Sequence, residues 1–178
     1  HPSAVIAHRT SPTNMGLALL ANFTAYDFGT ISTGRLLDRT TRALHTMGNL
    51  ERFRGHFYNW YDTRSLQPLQ PLYVSSVDSG NCAGHLRTMG MGLCELADQP
   101  LLGPSTIAGL VDTAGVLTDV ATAVPSGLAG LRRDLEAATH RPPLTVTAWK
   151  EWLTRNGSVV MAVLFAIHTI VVDATQIS

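Results

Sequence analysis

The sequence is short of charge, of cysteine and of any field of one sign. Of its 178 residues only 15% are Asp, Glu, Lys or Arg, against about 25% in an average soluble domain. Thirteen basic residues balance thirteen acidic ones, so the net charge is zero. A neutral chain lacks the basic field that nucleic-acid binding needs. No polybasic run is present to seek an anionic membrane surface. Cysteine is limited to Cys82 and Cys94. In a single helix, residues that far apart are separated by about 18 Å, well beyond disulfide reach. Two buried free thiols are the expectation, which suits a reducing compartment. Residues 1–10 lack a charged start followed by an apolar run, so no secretory leader is expected. The longest apolar run, Val159–Val172, is interrupted by His168. It is shorter than the roughly 18–20 residues that cross a bilayer, and it reads as a core helix. The first residue is His, not Met, and we expect a piece of something larger.

Apolar residues are plentiful. At 45% hydrophobic the chain has ample material for a core, and wholesale disorder is excluded. The length suits one domain, and 1–178 is expected to be a single helical one. Nearly every periodic stretch has the helical period. Thr10, Ser11 and Pro12 make a helix start, with proline where its missing N–H costs nothing. Leu17, Leu20, Ala21, Thr24 and Phe28 follow as an apolar stripe, and Gly29 closes the helix. Ser32 or Thr33 caps a second helix whose stripe is Leu36, Thr40, Ala43, Met47 and Leu50. A third carries Cys82, Leu86, Met89, Leu93 and Leu96 until Pro100, Gly103 and Pro104 break it. A fourth carries Ile107, Leu110, Val111, Ala114, Leu117 and Val120. Pro125, Ser126 and Gly127 punctuate, and a fifth carries Leu128, Leu131, Leu135 and Ala138 up to Pro142 and Pro143. Residues 145–155 predict a short helix with Trp149 and Trp152, which Asn156, Gly157 and Ser158 separate from a final apolar helix. No strand is convincing. The expected class is all-α.

Residues 53–77 differ in character. They are aromatic, polar and proline-bearing, with no clean period. Loops of about 25 residues inside compact domains are usually functional or disordered, and the aromatic content argues against disorder. Phe53-Arg54-Gly55-His56-Phe57-Tyr58-Asn59-Trp60-Tyr61-Asp62-Thr63 sets rings among strong hydrogen-bonding groups. Val74-Ser75-Ser76-Val77-Asp78-Ser79-Gly80-Asn81 then opens the third helix. Sugars suit such surfaces, because a pyranose stacks its C–H face on a ring and its hydroxyls are read by Asp, Asn, Arg and His. The plainer alternative is that Tyr58, Trp60 and Tyr61 pin a loop to the core and that Asp78, Ser79 and Asn14 serve helix starts.

Other chemistries find little support. His45, His56, His85, His140 and His168 are scattered without zinc-site spacing. Neither cysteine lies in a Cys-x-x-Cys pair, and Gly80 and Gly84 are not followed by Gly-Lys-Ser/Thr. Arg132, Arg133, Asp134 and Glu136 read as a solvated helix face. Glu51 is expected to pair with Arg52 on the surface. No metal and no cofactor is implied.

A series of motifs carries a resemblance. Arg9-Thr10-Ser11-Pro12-Thr13-Asn14 comes first, then Tyr26-Asp27-Phe28-Gly29, then Glu51 through Thr63. Leu66-Gln67-Pro68-Leu69, Tyr73 through Asn81 and Ala83-Gly84-His85-Leu86 follow in order. Over residues 9–86 this series resembles the middle region of bacterial cyclic β-1,2-glucan synthases. Residues 101–178 match only in being helical and apolar, and Cys82 stands where that family suggests Leu. Such enzymes are large inner-membrane proteins that make the glucan from UDP-glucose, cyclise it in a glucoamylase-like domain and trim it in a phosphorylase-like one. The resemblance implies antiparallel helix hairpins forming half of an (α/α)6 barrel, in a soluble region on the cytoplasmic side of the membrane. Its retaining chemistry uses two carboxylates about 5–5.5 Å apart, and the family's glutamates are expected beyond this chain. Asp62 and Asp78 are therefore assigned to hydroxyl recognition. The expected substrate-binding set is Asn14, Arg54, His56, Tyr58, Asn59, Trp60, Tyr61, Asp62, Asp78, Ser79 and Asn81.

The implied partners are a β-1,2-linked glucan, other domains of the same polypeptide and, for an isolated half-barrel with uncovered apolar faces, a second copy of itself. A non-catalytic carbohydrate-binding module and a protein-interaction module are the alternatives. Topology adds one expectation. The second helix ends near Arg52 and the third begins near Asp78, so the loop should lie over the third helix's start, where Tyr58, Asn59, Trp60, Asp62, Asp78, Ser79 and Asn81 would line one concave surface.

Overall fold

The computed structural model describes residues 7–120 and 127–176, with side chains through residue 162. The described residues are all-α in class, with six helices and only two-residue strands. In chain order these are β1 (Arg9–Thr10), α1 (Pro12–Asp27), α2 (Thr33–Asn49), β2 (Arg52–Phe53), β3 (His56–Phe57), β4 (Tyr61–Asp62), α3 (Ser76–Leu96), α4 (Pro104–Val120), α5 (Leu128–His140) and α6 (Val146–Gln176). Two compact units divide the chain. Residues through Tyr26 with Ile31–Gln99 form the first, and Asp27–Thr30 with the residues from Pro100 onward form the second.

In the first unit α1 and α2 run antiparallel. Arg39 Nη1 donates to Asn22 Oδ1 at 3.2 Å near one end, and Met15 and Met47 share a core cluster near the other. The Ser32 hydroxyl accepts from the Arg35 N–H and caps α2, as expected. The α2 stripe holds, with Leu36, Thr40, Met47 and Leu50 all buried. Helix α3 lies parallel to α1. Asn81 Nδ2 donates to Thr13 Oγ1 at 3.2 Å, Gly16 faces His85, and the Phe23 ring lies against Gly92. Two glycines allow this close approach, because a Cβ on Gly16 would stand 2.6 Å from His85 Nδ1 and one on Gly92 would stand 2.8 Å from the Phe23 ring.

That approach corrects the α1 stripe. Leu17 and Phe28 are 49% and 66% exposed, while Pro12, Gly16 and Leu19 are buried. The helix is apolar on most sides, so its period does not select a face. The gap at Gly16, which admits His85, selects it. Cys82 is buried as expected, but Cys94 is exposed. It follows half-buried Leu93 by one residue, and that 100° step carries it off the packed face.

The segment between α2 and α3 is ordered hairpin rather than open loop. β2 pairs antiparallel with β3 through a two-residue turn in which Arg54 and Gly55 have φ of 50° and 86°. β4 pairs with β1, and Leu69 N–H donates to Trp60 O and Asp62 N–H to Gln67 O, each at 2.9 Å. Strands this short show no period of 2 to read in a sequence. The expected Glu51–Arg52 pair is replaced. Arg52 Nη2 donates to the Met47 carbonyl at 3.0 Å and its guanidinium lies 4.2 Å from the Phe57 ring centroid.

In the second unit α4, α5 and α6 enclose Ile107, Ala114, Leu117, Leu128, Leu131, Leu135, Ala138, Trp149 and Trp152. The α4 and α5 stripes hold, except that Val120 is 55% exposed. Gly29, with φ of 68°, closes α1 as expected, and its turn rests on α4. A Cβ there would stand 1.9 Å from the Ser105 carbonyl oxygen, and a Cβ on Gly109 would stand 2.1 Å from that of Gly29. The punctuation at Pro125 and Ser126 falls outside the described residues. One correction concerns the last element. Helix α6 runs unbroken through Asn156, Gly157 and Ser158. Asn156 is buried and donates its Nδ2 to the Trp152 carbonyl at 3.1 Å, so it serves the helix instead of interrupting it. Val159 and Val160 are half-buried and Met161 is 66% exposed; the later side chains of the Val159–Val172 run lie outside the described residues. No helix among the described residues is long and apolar enough to cross a membrane.

Candidate functional site

The candidate residues all lie in the first unit. Asn59, Trp60, Tyr73 and Asp78 form its centre. Asn59 is buried, and its carboxamide is oriented so that the nitrogen donates to Asp78 Oδ2 at 2.8 Å. Its oxygen accepts from the Tyr73 hydroxyl and from Trp60 Nε1, the latter at 2.8 Å. The backbone adds a bond from Asn59 N–H to the Tyr73 carbonyl at 2.9 Å. The loop therefore reaches the start of α3, as topology required.

Asp78 also serves the start of α1. The Thr13 hydroxyl, the Ser75 hydroxyl, the Ser11 hydroxyl and the Thr13 N–H donate to it and hold its carboxyl below the usual carboxylate range. An acidic group at a helix N-terminus is further favoured by the helix dipole. Ser11 caps α1 by accepting from the Asn14 N–H at 3.3 Å, and Ser75 caps α3 by accepting from the Asp78 N–H at 3.1 Å. Asn81 joins the same corner through Thr13. Ser79 is half-buried, and its Oγ has no hydrogen-bond partner among the described residues.

Trp60 is half-buried, with the Arg9 guanidinium 4.8 Å from its ring centroid. Tyr61 is fully buried. Its hydroxyl donates to the Glu51 carbonyl at 2.7 Å and accepts from the Tyr58 N–H at 2.8 Å, and burial pushes its pKa up. The Tyr58 and Phe57 rings meet Tyr61 edge-on at 6.5 and 6.4 Å. Asp62 lies apart from Asp78. Its Oδ1 accepts from the Ser65 and Arg64 N–H groups, each at 2.8 Å, and these bonds lower its pKa. Arg54 and His56 sit exposed at the β2–β3 turn. Asn14 is exposed at the mouth of a cavity of about 300 Å³ that Thr10, Met15, Thr46, Met47 and Thr63 also line.

Sequence reasoning missed Arg9, Thr13 and Tyr73. Thr13 carried a signal, since a hydroxyl in the first turn of a helix is placed to bond a neighbour. Arg9 and Tyr73 carried none, because only the folded hairpins bring them to Trp60 and Asn59. Chemically the centre offers satisfied hydrogen bonds and ring edges. It brings no pair of carboxylates together.

Comparison with known proteins adds a sequence relationship. Over 125 residues the chain is 40% identical to Cyclic beta-(1,2)-glucan synthase NdvB of Rhizobium meliloti (strain 1021). The chain is related to the cyclic β-1,2-glucan synthases. The aligned stretch takes in 70% of the chain but spans only 4% of that synthase's length. No family model matches the chain. The Asn59–Asp78 centre is thus a feature of a synthase-related segment.

Proposed function

We propose that this chain is part of the glucan-cyclising domain of a cyclic β-1,2-glucan synthase and supplies part of its glucan-contacting surface. The observation that carries the reading is the 40% identity, over 70% of the chain, to a protein named for that product. The helix order supports it. An antiparallel α1–α2 pair with α3 parallel to α1 is the arrangement of successive helices in an (α/α)6 barrel, of which this chain would form one half. Exposed Asn14, Arg54, His56 and Asn81, with the free edges of Tyr58 and Trp60, would meet the sugar. Asn59, Tyr61, Asp62, Asp78 and Ser79 would hold that surface in shape. The reacting carboxylates would come from elsewhere in the polypeptide, which would be an inner-membrane protein carrying this region on its cytoplasmic side. A chain of this kind, cut from its neighbours, would self-associate through exposed apolar residues such as Leu17, and light scattering above the monomer mass is expected.

Calorimetric titration of the folded chain with linear β-1,2-glucan tests the main reading. Saturable heat at up to millimolar ligand is expected. No heat from demonstrably folded protein at that concentration overturns it.

A further inference from the structure

The β2–β3 hairpin has two faces with different fates. Arg52 stands opposite Phe57, and Phe53 opposite His56. Successive strand residues point to opposite sides, so the two pairs occupy opposite faces. The first face is anchored. Arg52 bonds the Met47 carbonyl and covers the Phe57 ring, which itself packs on the cluster of Leu19, Met47, Cys82 and Met89. The second face is open. Phe53 is 51% exposed and His56 is exposed beside it. The Arg54 guanidinium lies 5.4 Å from the Phe53 ring centroid and has no hydrogen-bond or ion-pair partner among the described residues.

The backbone adds an independent observation. With φ of 50° at Arg54 and 86° at Gly55, the turn is of the left-handed two-residue kind that favours Asn, Asp or Gly at its first position. An arginine there is held against its backbone preference. Such outliers concentrate where a side chain must be presented to something. Here it is presented with a ring and an imidazole, on a hairpin pinned from behind.

We infer that this tip is a glucan contact: the Phe53 ring stacks on a glucose unit while Arg54 and His56 bind its hydroxyl oxygens. The inference rests on the glucan reading above and names the residues that carry it. The chemistry favours a sugar. The ring takes an apolar C–H face, and the guanidinium offers only donors, which match hydroxyl oxygens. The stacking role falls to Phe53 and not to Trp60, because Phe53 is the more exposed ring and the Arg54 beside it belongs to the same tip, whereas Trp60 is half-buried under Arg9 and its indole N–H is committed to Asn59.

The test titrates the full chain and three variants, Phe53→Ala, Phe53→Trp and Arg54→Asn, with linear β-1,2-glucan, and records each melting temperature. Phe53→Ala is expected to bind about tenfold or more weakly, the loss of one stacked ring, while Phe53→Trp retains affinity. Arg54→Asn is expected to melt higher, since strain is relieved, yet to bind several-fold more weakly. This opposition of stability and affinity is one that a purely structural arginine would not produce. Unchanged affinity in Phe53→Ala and Arg54→Asn, with the parent binding, overturns the inference and leaves the glucan reading intact. A parent that does not bind overturns both. Saturable binding of inorganic phosphate that Arg54→Asn abolishes, with glucan affinity unaltered, also overturns the inference and marks an anion site.

Discussion

Asp78 stabilises two helix starts and a loop with one carboxylate. Hydroxyls from Thr13, Ser75 and Ser11 and the amide of Asn59 all donate to it. Those bonds exist for the charged form, so its folded pKa lies below its unfolded one. The sign follows directly. Its contribution is complete above about pH 4 and is lost as acid titrates it through the lower folded value. Asp62, lowered by the Ser65 and Arg64 N–H groups, acts in the same direction. We expect the melting temperature to fall as pH drops below about 4, and Asp78→Asn to melt lower at neutral pH with a flatter acid limb. Thermal melts across that range check both. Glycines offer a second contrast at this scale. Gly16→Ala drives a methyl into His85 and is expected to cost about 1–3 kcal/mol. Gly84→Ala meets nothing within 4 Å and is expected to stabilise by about 0.5–1 kcal/mol. Denaturant titration separates the two by sign. Ser11 and Ser32 were legible as caps from the sequence, because capping is a local bond. The partners of Asp78 were not, because they come from residues 11–13, 59 and 75, which only packing assembles.

Among the elements, α2, α3, α4 and α5 show their stripes plainly in the sequence, since each sets apolar residues at helical spacing against a core. Two elements misled. The two-residue strands between α2 and α3 are too short for alternation, and their order comes from Tyr61, whose buried hydroxyl ties Glu51 to Tyr58. In α6 the Asn-Gly-Ser triplet has the composition of a break. The Asn156 amide instead bonds the carbonyl one turn back, within a helix that Trp149 and Trp152 anchor. Gly157 then stands in a helix interior with open space around it. Gly157→Ala is therefore expected to stabilise by about 0.5–1 kcal/mol, read by chemical denaturation, whereas a chain break at that point would make the substitution costly.

At the scale of the molecule, the candidate residues and the hairpin tip belong to one unit of two. A chain ending at Gln99 keeps every one of them. We expect it to remain helical by circular dichroism and to bind linear β-1,2-glucan within about threefold of the full chain, a difference of under 1 kcal/mol. The sequence alone determined the helical class, the caps, most buried stripes and the relation to cyclic β-1,2-glucan synthases, because these depend on residue type and near-neighbour spacing. Tertiary structure decided which side of α1 is buried, that Cys94 faces solvent, that α6 continues past Gly157, and that Trp60 is half-buried under Arg9 while Phe53 stays exposed. The buried side of α1 and the covering of Trp60 turn on contacts between residues far apart in the chain, His85 entering at Gly16 and Arg9 crossing to Trp60. Local preference does not encode such contacts when a helix is apolar on several sides or a loop holds several rings of similar chemistry.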